Sequence, residues 1–104
     1  MAYGNQISAN RVANATASVS TVDLVYLTEP CQKVTVANLT GTAPIYFTVS
    51  HPGGSCPVPT VGGANCFELP AAISSLDVRH DGQFGTIVQL ISSGTPSYSV
   101  AVTT

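Results

Sequence analysis

From residue 12 to the C-terminus, β-branched residues recur with a period of two, and no stretch sustains the 3.6-residue apolar period of an amphipathic helix. Side chains alternate across a strand, so a chain patterned this way buries one face of each strand and must pack two layers to cover those faces. The expected fold is all-β: a single β-sandwich, immunoglobulin-like or jelly-roll-like, of seven or eight short antiparallel strands, with a small barrel as the alternative closure. A chain of 104 residues is long enough to bury a core of its own as one domain.

The clearest strand covers residues 33–39, where Val34 and Val36 share one face and Lys33, Thr35 and Ala37 the other. Leu39-Thr40-Gly41-Thr42 reads as a turn, because Gly41 can take positive φ, and Pro44 delays the next strand to residues 45–50, with Ile45, Phe47 and Val49 inward. Residues 51–65 hold four Gly and three Pro and form the long loop of the domain. Short strands follow at 66–69 and 73–80, the second with Leu76 and Val78 inward. Asp81-Gly82 has the chemistry of a two-residue reversal and predicts a hairpin into residues 84–91. There Ile87 and Ile91 lie on one side and Val88 and Leu90 on the other, the pattern of a central strand covered on both faces. Residues 93–96 turn the chain into a last strand with Tyr98, Val100 and Val102 inward. Upstream, residues 13–20 and 22–27 are expected to pair as the first two strands. Residues 1–11 are polar and carry Gly4, Asn5 and Asn10, so they read as an extended N-terminal arm ordered by a neighbour, ahead of a sandwich domain over 12–104.

Only 8% of the residues are charged, against about 25% in an average soluble domain, and hydroxyls and amides fill the polar positions. Arg11, Lys33 and Arg79 are scattered among five acidic residues, so no basic stripe exists to neutralise phosphates, and nucleic acid is excluded as a partner. No apolar run approaches the length of a spanning helix, which argues against a membrane location. The opening MAYGNQISANRVANATA is interrupted by polar residues at every possible apolar run and does not read as an export signal. Synthesis in a host cytoplasm followed by life on a released virion reconciles that start with the composition of a surface-exposed β-protein.

Three cysteines (Cys31, Cys56 and Cys66) and two histidines (His51 and His80) invite a metal reading, but no C-x-x-C spacing is present, and no metal or other cofactor is expected. A disulfide between Cys56 and Cys66 would close a short loop and contribute roughly 2–3 kcal/mol, provided the environment is oxidising. No serine sits in G-x-S-x-G and no cysteine has an identifiable base, so the chain reads as non-enzymatic. The Asn14 and Asn38 glycosylation patterns matter only along a secretory route. Among the aromatics, Tyr26, Phe47 and Tyr98 share parity with core valines, which leaves Tyr3 and Tyr46 as candidate surface contacts beside Asn5, Gln6 and Arg11 of the arm.

The segments KVTVANLTGTAPIYFTVS, FELPA and TIVQLISSGTPSYSVAV, spread over residues 33–102, resemble small β-sandwich structural proteins of tailed bacteriophages. The resemblance implies a head decoration or cement protein that binds the outside of a major capsid protein and carries an attaching N-terminal arm; clustering with copies of itself, as trimers, is a further expectation. Tail or fibre parts share the same sandwich. An alternative of a different class is a carbohydrate- or host-surface-binding module whose contact surface is the loop from His51 to Asn65.

Overall fold

The computed structural model describes residues 3–54 and 57–104, and within them the chain is all strand and loop. Nine strands build two sheets packed as a sandwich: β1 (Gln6–Ala9), β2 (Val12–Thr16), β3 (Asp23–Leu27), β4 (Cys31–Asn38), β5 (Ile45–Ser50), β6 (Phe67–Leu69), β7 (Ser74–Gly82), β8 (Thr86–Ser92) and β9 (Ser97–Thr103). The five-stranded sheet has the order β1-β3-β8-β5-β6 and the four-stranded sheet the order β2-β9-β4-β7. Val25, Leu27, Ile45, Phe47, Leu69, Val88 and Leu90 of the first layer meet Val34, Val36, Tyr98, Val100 and Val102 of the second in one continuous core.

The inward parities of β4, β5, β7 and β9 match the alternation of their sequences. At the end of β4 the inward position goes to a polar residue, Asn38, which is fully buried. Its Nδ2 donates to the carbonyls of Ala43 (2.9 Å) and Pro70 (3.2 Å), and its Oδ1 accepts from the Gly41 N–H (2.9 Å), so one amide closes the 39–42 turn and ties it to the end of β6. Three bonds to one buried side chain satisfy the polar groups that burial would otherwise penalise.

β8 lies between β3 and β5 and is buried on both faces, as its double apolar parity requires. The second cover is the Gly/Pro-rich loop, which returns over the outer face of the five-stranded sheet. There Thr48 donates to the Pro57 carbonyl at 2.7 Å, Pro59 is buried, and Gln89, the cross-strand neighbour of Thr48, is buried as well.

Two expected hairpins do not form. β2 pairs with β9 and β3 with β8, so the first two strands lie in different sheets, and the chain crosses between layers through residues 17–22 with Ser20 at φ 50°. Likewise β7 pairs with β4 while β8 belongs to the other sheet, and Asp81 and Gly82 are still strand. The reversal comes later, with the Gly85 N–H bonded to the Gly82 carbonyl at 3.0 Å and Gly85 supplying the positive φ of 107°. Gly82 serves close approach instead, since a Cβ there would stand 2.6 Å from Cys31 Sγ and from Thr86 Oγ1. Each of these strands has its own apolar face, and a crossover lets both faces reach the shared core where a flat hairpin would leave them in one layer.

The strand count exceeds expectation because the arm itself contributes β1, which runs parallel to β3, whereas an all-antiparallel set was expected. Ile7 and Ala9 pack against the core. Ahead of them, Asn5 is clamped to Asp23, a fully buried residue: its backbone N–H donates to Oδ1 at 2.8 Å and its Nδ2 to Oδ2 at 3.1 Å. Tyr98, on the opposite sheet, donates its hydroxyl to the same Oδ2 at 2.7 Å. The carboxylate therefore joins both layers and the arm, and the order of residues 5–9 comes from the chain's own fold.

Candidate binding surface

Asp77, Arg79, His80 and Asp81 place four ionisable side chains within five positions of β7, in a chain with only three basic and five acidic residues. β7 is an edge strand, and its alternation sends Asp77, Arg79 and Asp81 to solvent and His80 toward the space between the layers. Next to it, a register shift in β4 between Cys31 and Lys33 turns both Gln32 and Lys33 outward. The C-terminal Thr104, the Gly82–Gly85 reversal and His51 at the exit of β5 complete the same end of the sandwich.

Four shallow depressions run into one another across this corner. Gln32 borders three of them, and Arg79, Asp81, Gln83 and Thr104 each border more than one. The last is walled by His51, Asp81, Gln83 and Phe84. Phe84 sits on the reversal with 78% of its surface exposed, so its ring contributes almost nothing to the core. Half of the chain's charged side chains, both histidines and this aromatic ring are gathered at one end.

The electrostatics of the corner are mild. Lys33 Nζ stands 3.8 Å from Asp77 Oδ2, and Thr35 donates to Asp77 Oδ1 at 2.7 Å. A solvent-exposed pair of this kind contributes about 0–1 kcal/mol. His80 Nε2 is buried and has no hydrogen-bond partner within the described residues. Burial, and then the neighbouring His51, push its pKa below the usual histidine value, with Asp81 opposing them, so the ring is neutral at pH 7. The corner thus offers amides, carboxylates, a guanidinium, a neutral imidazole and an open ring face, the groups that hydrogen-bond hydroxyls and stack on an apolar ring face.

The residues singled out from the sequence are not brought together. Tyr3 is half-buried, Gln6 and Arg11 are exposed, and the side chain of Asn5 is occupied by Asp23 and by the Thr16 carbonyl. Tyr46 lies across the five-stranded sheet from Gln6, with β3 and β8 between their strands, and its hydroxyl points to Glu68 at 3.4 Å. Of the expected disulfide, Cys56 lies outside the described residues, while Cys66 is a free thiol that donates to the Gly63 carbonyl at 3.2 Å. Cys31 is buried against the Thr86 hydroxyl at 3.1 Å. Among the described residues no three His, Cys, Asp or Glu side chains are placed to hold a metal ion. The signal that marks the corner in the sequence is the DVRHD run, conspicuous in so uncharged a chain.

No family model and no curated protein matches the sequence. Solved structures match in fold. A carbohydrate-binding module from a sugar cane soil metagenome, solved with cellopentaose and a gadolinium ion, superposes with a TM-score of 0.61 over 98% of this chain and 99% of its own, at 8% identity. A periplasmic inhibitor of g-type lysozyme from Aeromonas hydrophila gives 0.53 over 96% and 98%, at 13% identity. A de novo designed double-stranded β-helix gives 0.53 over 88% and 97%, at 15% identity. Likeness at these identities is likeness of fold, and the shared fold is the all-β sandwich.

Proposed function

We propose that this protein is a non-catalytic β-sandwich binding module that holds a saccharide at the corner formed by Gln32, Asp81, Gln83, His51 and Phe84. The observation that carries the reading is the convergence of polar side chains and one open aromatic ring on contiguous shallow depressions at a single end of the domain. Shallow clefts of this kind suit a ligand with many hydroxyls, which is held by hydrogen bonds around its edge and by a ring against its face. The carbohydrate-binding module among the structural neighbours supports the same class of function. Of the described residues of the loop starting at His51, His51 itself lines the corner, while farther along the Pro57 carbonyl is held by Thr48 over the five-stranded sheet.

The role over a capsid lattice, with a major capsid protein and further copies of the chain as partners, rests on the sequence resemblance, and the three structural neighbours named above are not phage structural proteins. Glycan-array screening followed by calorimetric titration tests the saccharide reading. Binding is expected, and Phe84→Ala is expected to weaken it roughly tenfold, about 1.4 kcal/mol, without lowering stability. Asp81→Asn should weaken it as well. A protein that binds no glycan, or binds one equally well in both variants, would refute the assignment.

A further inference from the structure

β7 is the longest strand of the sandwich, nine residues, and among the described residues only β4 pairs with it. A long free edge is a template for another strand, and charged side chains are a common guard against such pairing. β7 carries three charges on its outward positions, but they alternate in sign, Asp77, Arg79, Asp81, so a second antiparallel copy can pair them rather than be repelled by them. Its inward residues Leu76 and Val78 remain half-buried at the open side of the core. Ile73, one residue before the strand, is 79% exposed, the largest value among the exposed large hydrophobics.

We propose that β7 is a self-association edge, and that two copies of this chain pair antiparallel along it about a two-fold axis at Val78. Val78 is the midpoint of Ser74–Gly82, so this register overlaps all nine residues of both copies. It sets Asp77 opposite Arg79 of the second copy and Arg79 opposite its Asp77, two opposite-charge pairs on the solvent face. On the core face Val78 meets its own equivalent, and Leu76 meets His80. Ile73 comes against Gln83 of the second copy and loses its exposure. Neighbouring registers do not share these properties. Slipping by two residues in one direction sets Asp77 on Asp77, and in the other sets Asp77 on Asp81. A slip of one residue sets core-side against solvent-side positions. Like charges directly opposite one another are unfavourable, so the strand's charge order selects the register that its length also selects. The contact is isologous and closes at two copies, joining the two four-stranded sheets into one eight-stranded layer.

Sedimentation velocity on the unliganded protein tests this independently of saccharide binding. The wild type should show a concentration-dependent monomer–dimer equilibrium. Asp77→Arg and Arg79→Asp should each weaken self-association at least roughly tenfold, since each sets like charges together across the axis. Arg79→Gln should give an intermediate loss. An equimolar mixture of the two charge variants should form a heterodimer detectable by native mass spectrometry, because each now complements the other. Both side chains to be exchanged are in solvent, and far-UV circular dichroism on each variant confirms its fold. A wild type that stays monomeric up to its solubility limit overturns the proposal. So does a dimer that the charge variants leave unchanged, or a mixture that associates no better than its components.

Discussion

Replacing Tyr98 by phenylalanine removes one oxygen from the centre of the molecule and isolates the contribution of the Asp23 junction. Both residues are fully buried. The ring keeps its packing, so the loss is confined to the 2.7 Å bond from the Tyr98 hydroxyl to Asp23 Oδ2, and Asp23 retains the two donors of Asn5. A buried hydrogen bond to a carboxylate contributes about 1.5–3 kcal/mol. For a domain of this size each kcal/mol moves the melting temperature by about 4 °C, so the variant should melt about 6–12 °C below the wild type by calorimetry. Alkaline pH adds a second readout. Burial, and then the bond to Asp23, raise the pKa of Tyr98 far above its ordinary value of 10.0. The unfolded chain releases this proton above pH 10 while the folded chain keeps it, so stability is intact below pH 10 and falls above it, by about 1.4 kcal/mol per pH unit from this group. Tyr98→Phe should show a correspondingly shallower alkaline decline. A melting shift below about 3 °C together with an unchanged alkaline slope would show that the Tyr98 hydroxyl contributes little to the junction.

Gly41→Ala should lower stability by more than about 2 kcal/mol, read as a fall in the urea midpoint at constant slope. Gly41 has φ 68°, and an added Cβ would stand 2.7 Å from backbone atoms of Ala72 and Ile73, which a rotamer change cannot relieve. His80 gives a prediction in acid. Its folded pKa lies below 6.5, so the unfolded state binds the proton first as pH falls, and stability present above pH 6.5 declines below it. Urea midpoints at pH 7.5 and 5.5 should differ more in the wild type than in His80→Gln, and equal differences would remove His80 as the cause.

The candidate site was only partly legible in the sequence. DVRHD stands out as the densest group of ionisable residues in a weakly charged chain, yet the residues that join it come from three other places: Gln32 by a bulge in β4, His51 at the end of β5, and Thr104 at the terminus. Gln32 and Thr104 are not marked by their neighbours in the chain, and His51 is marked only as the start of the Gly/Pro-rich loop. The order of residues 5–9 is hidden in the sequence for a related reason. Asn5 and Asp23 are ordinary polar residues in sequence, and only the stacking of β9 over β3 places the Tyr98 hydroxyl where a buried carboxylate is satisfied.

What the sequence by itself determined is the β class, the inward face of β4, β5, β7 and β9, the two-sided burial of β8 and the position of the long loop. Those follow from side-chain alternation and from the backbone limits of Gly and Pro, which act over a few residues. In β3 the inward residues are Asp23, Val25 and Leu27, and Tyr26, expected at core parity, lies on the other face. Only the tertiary structure decided which strands share a sheet, that Asp81-Gly82 continues a strand while Gly85 makes the turn, and that β1 closes the five-stranded layer in parallel. Alternation says which face a strand buries but not against what. Partner choice depends on how all nine strands cover one core together, and contacts between residues far apart in the chain settle it.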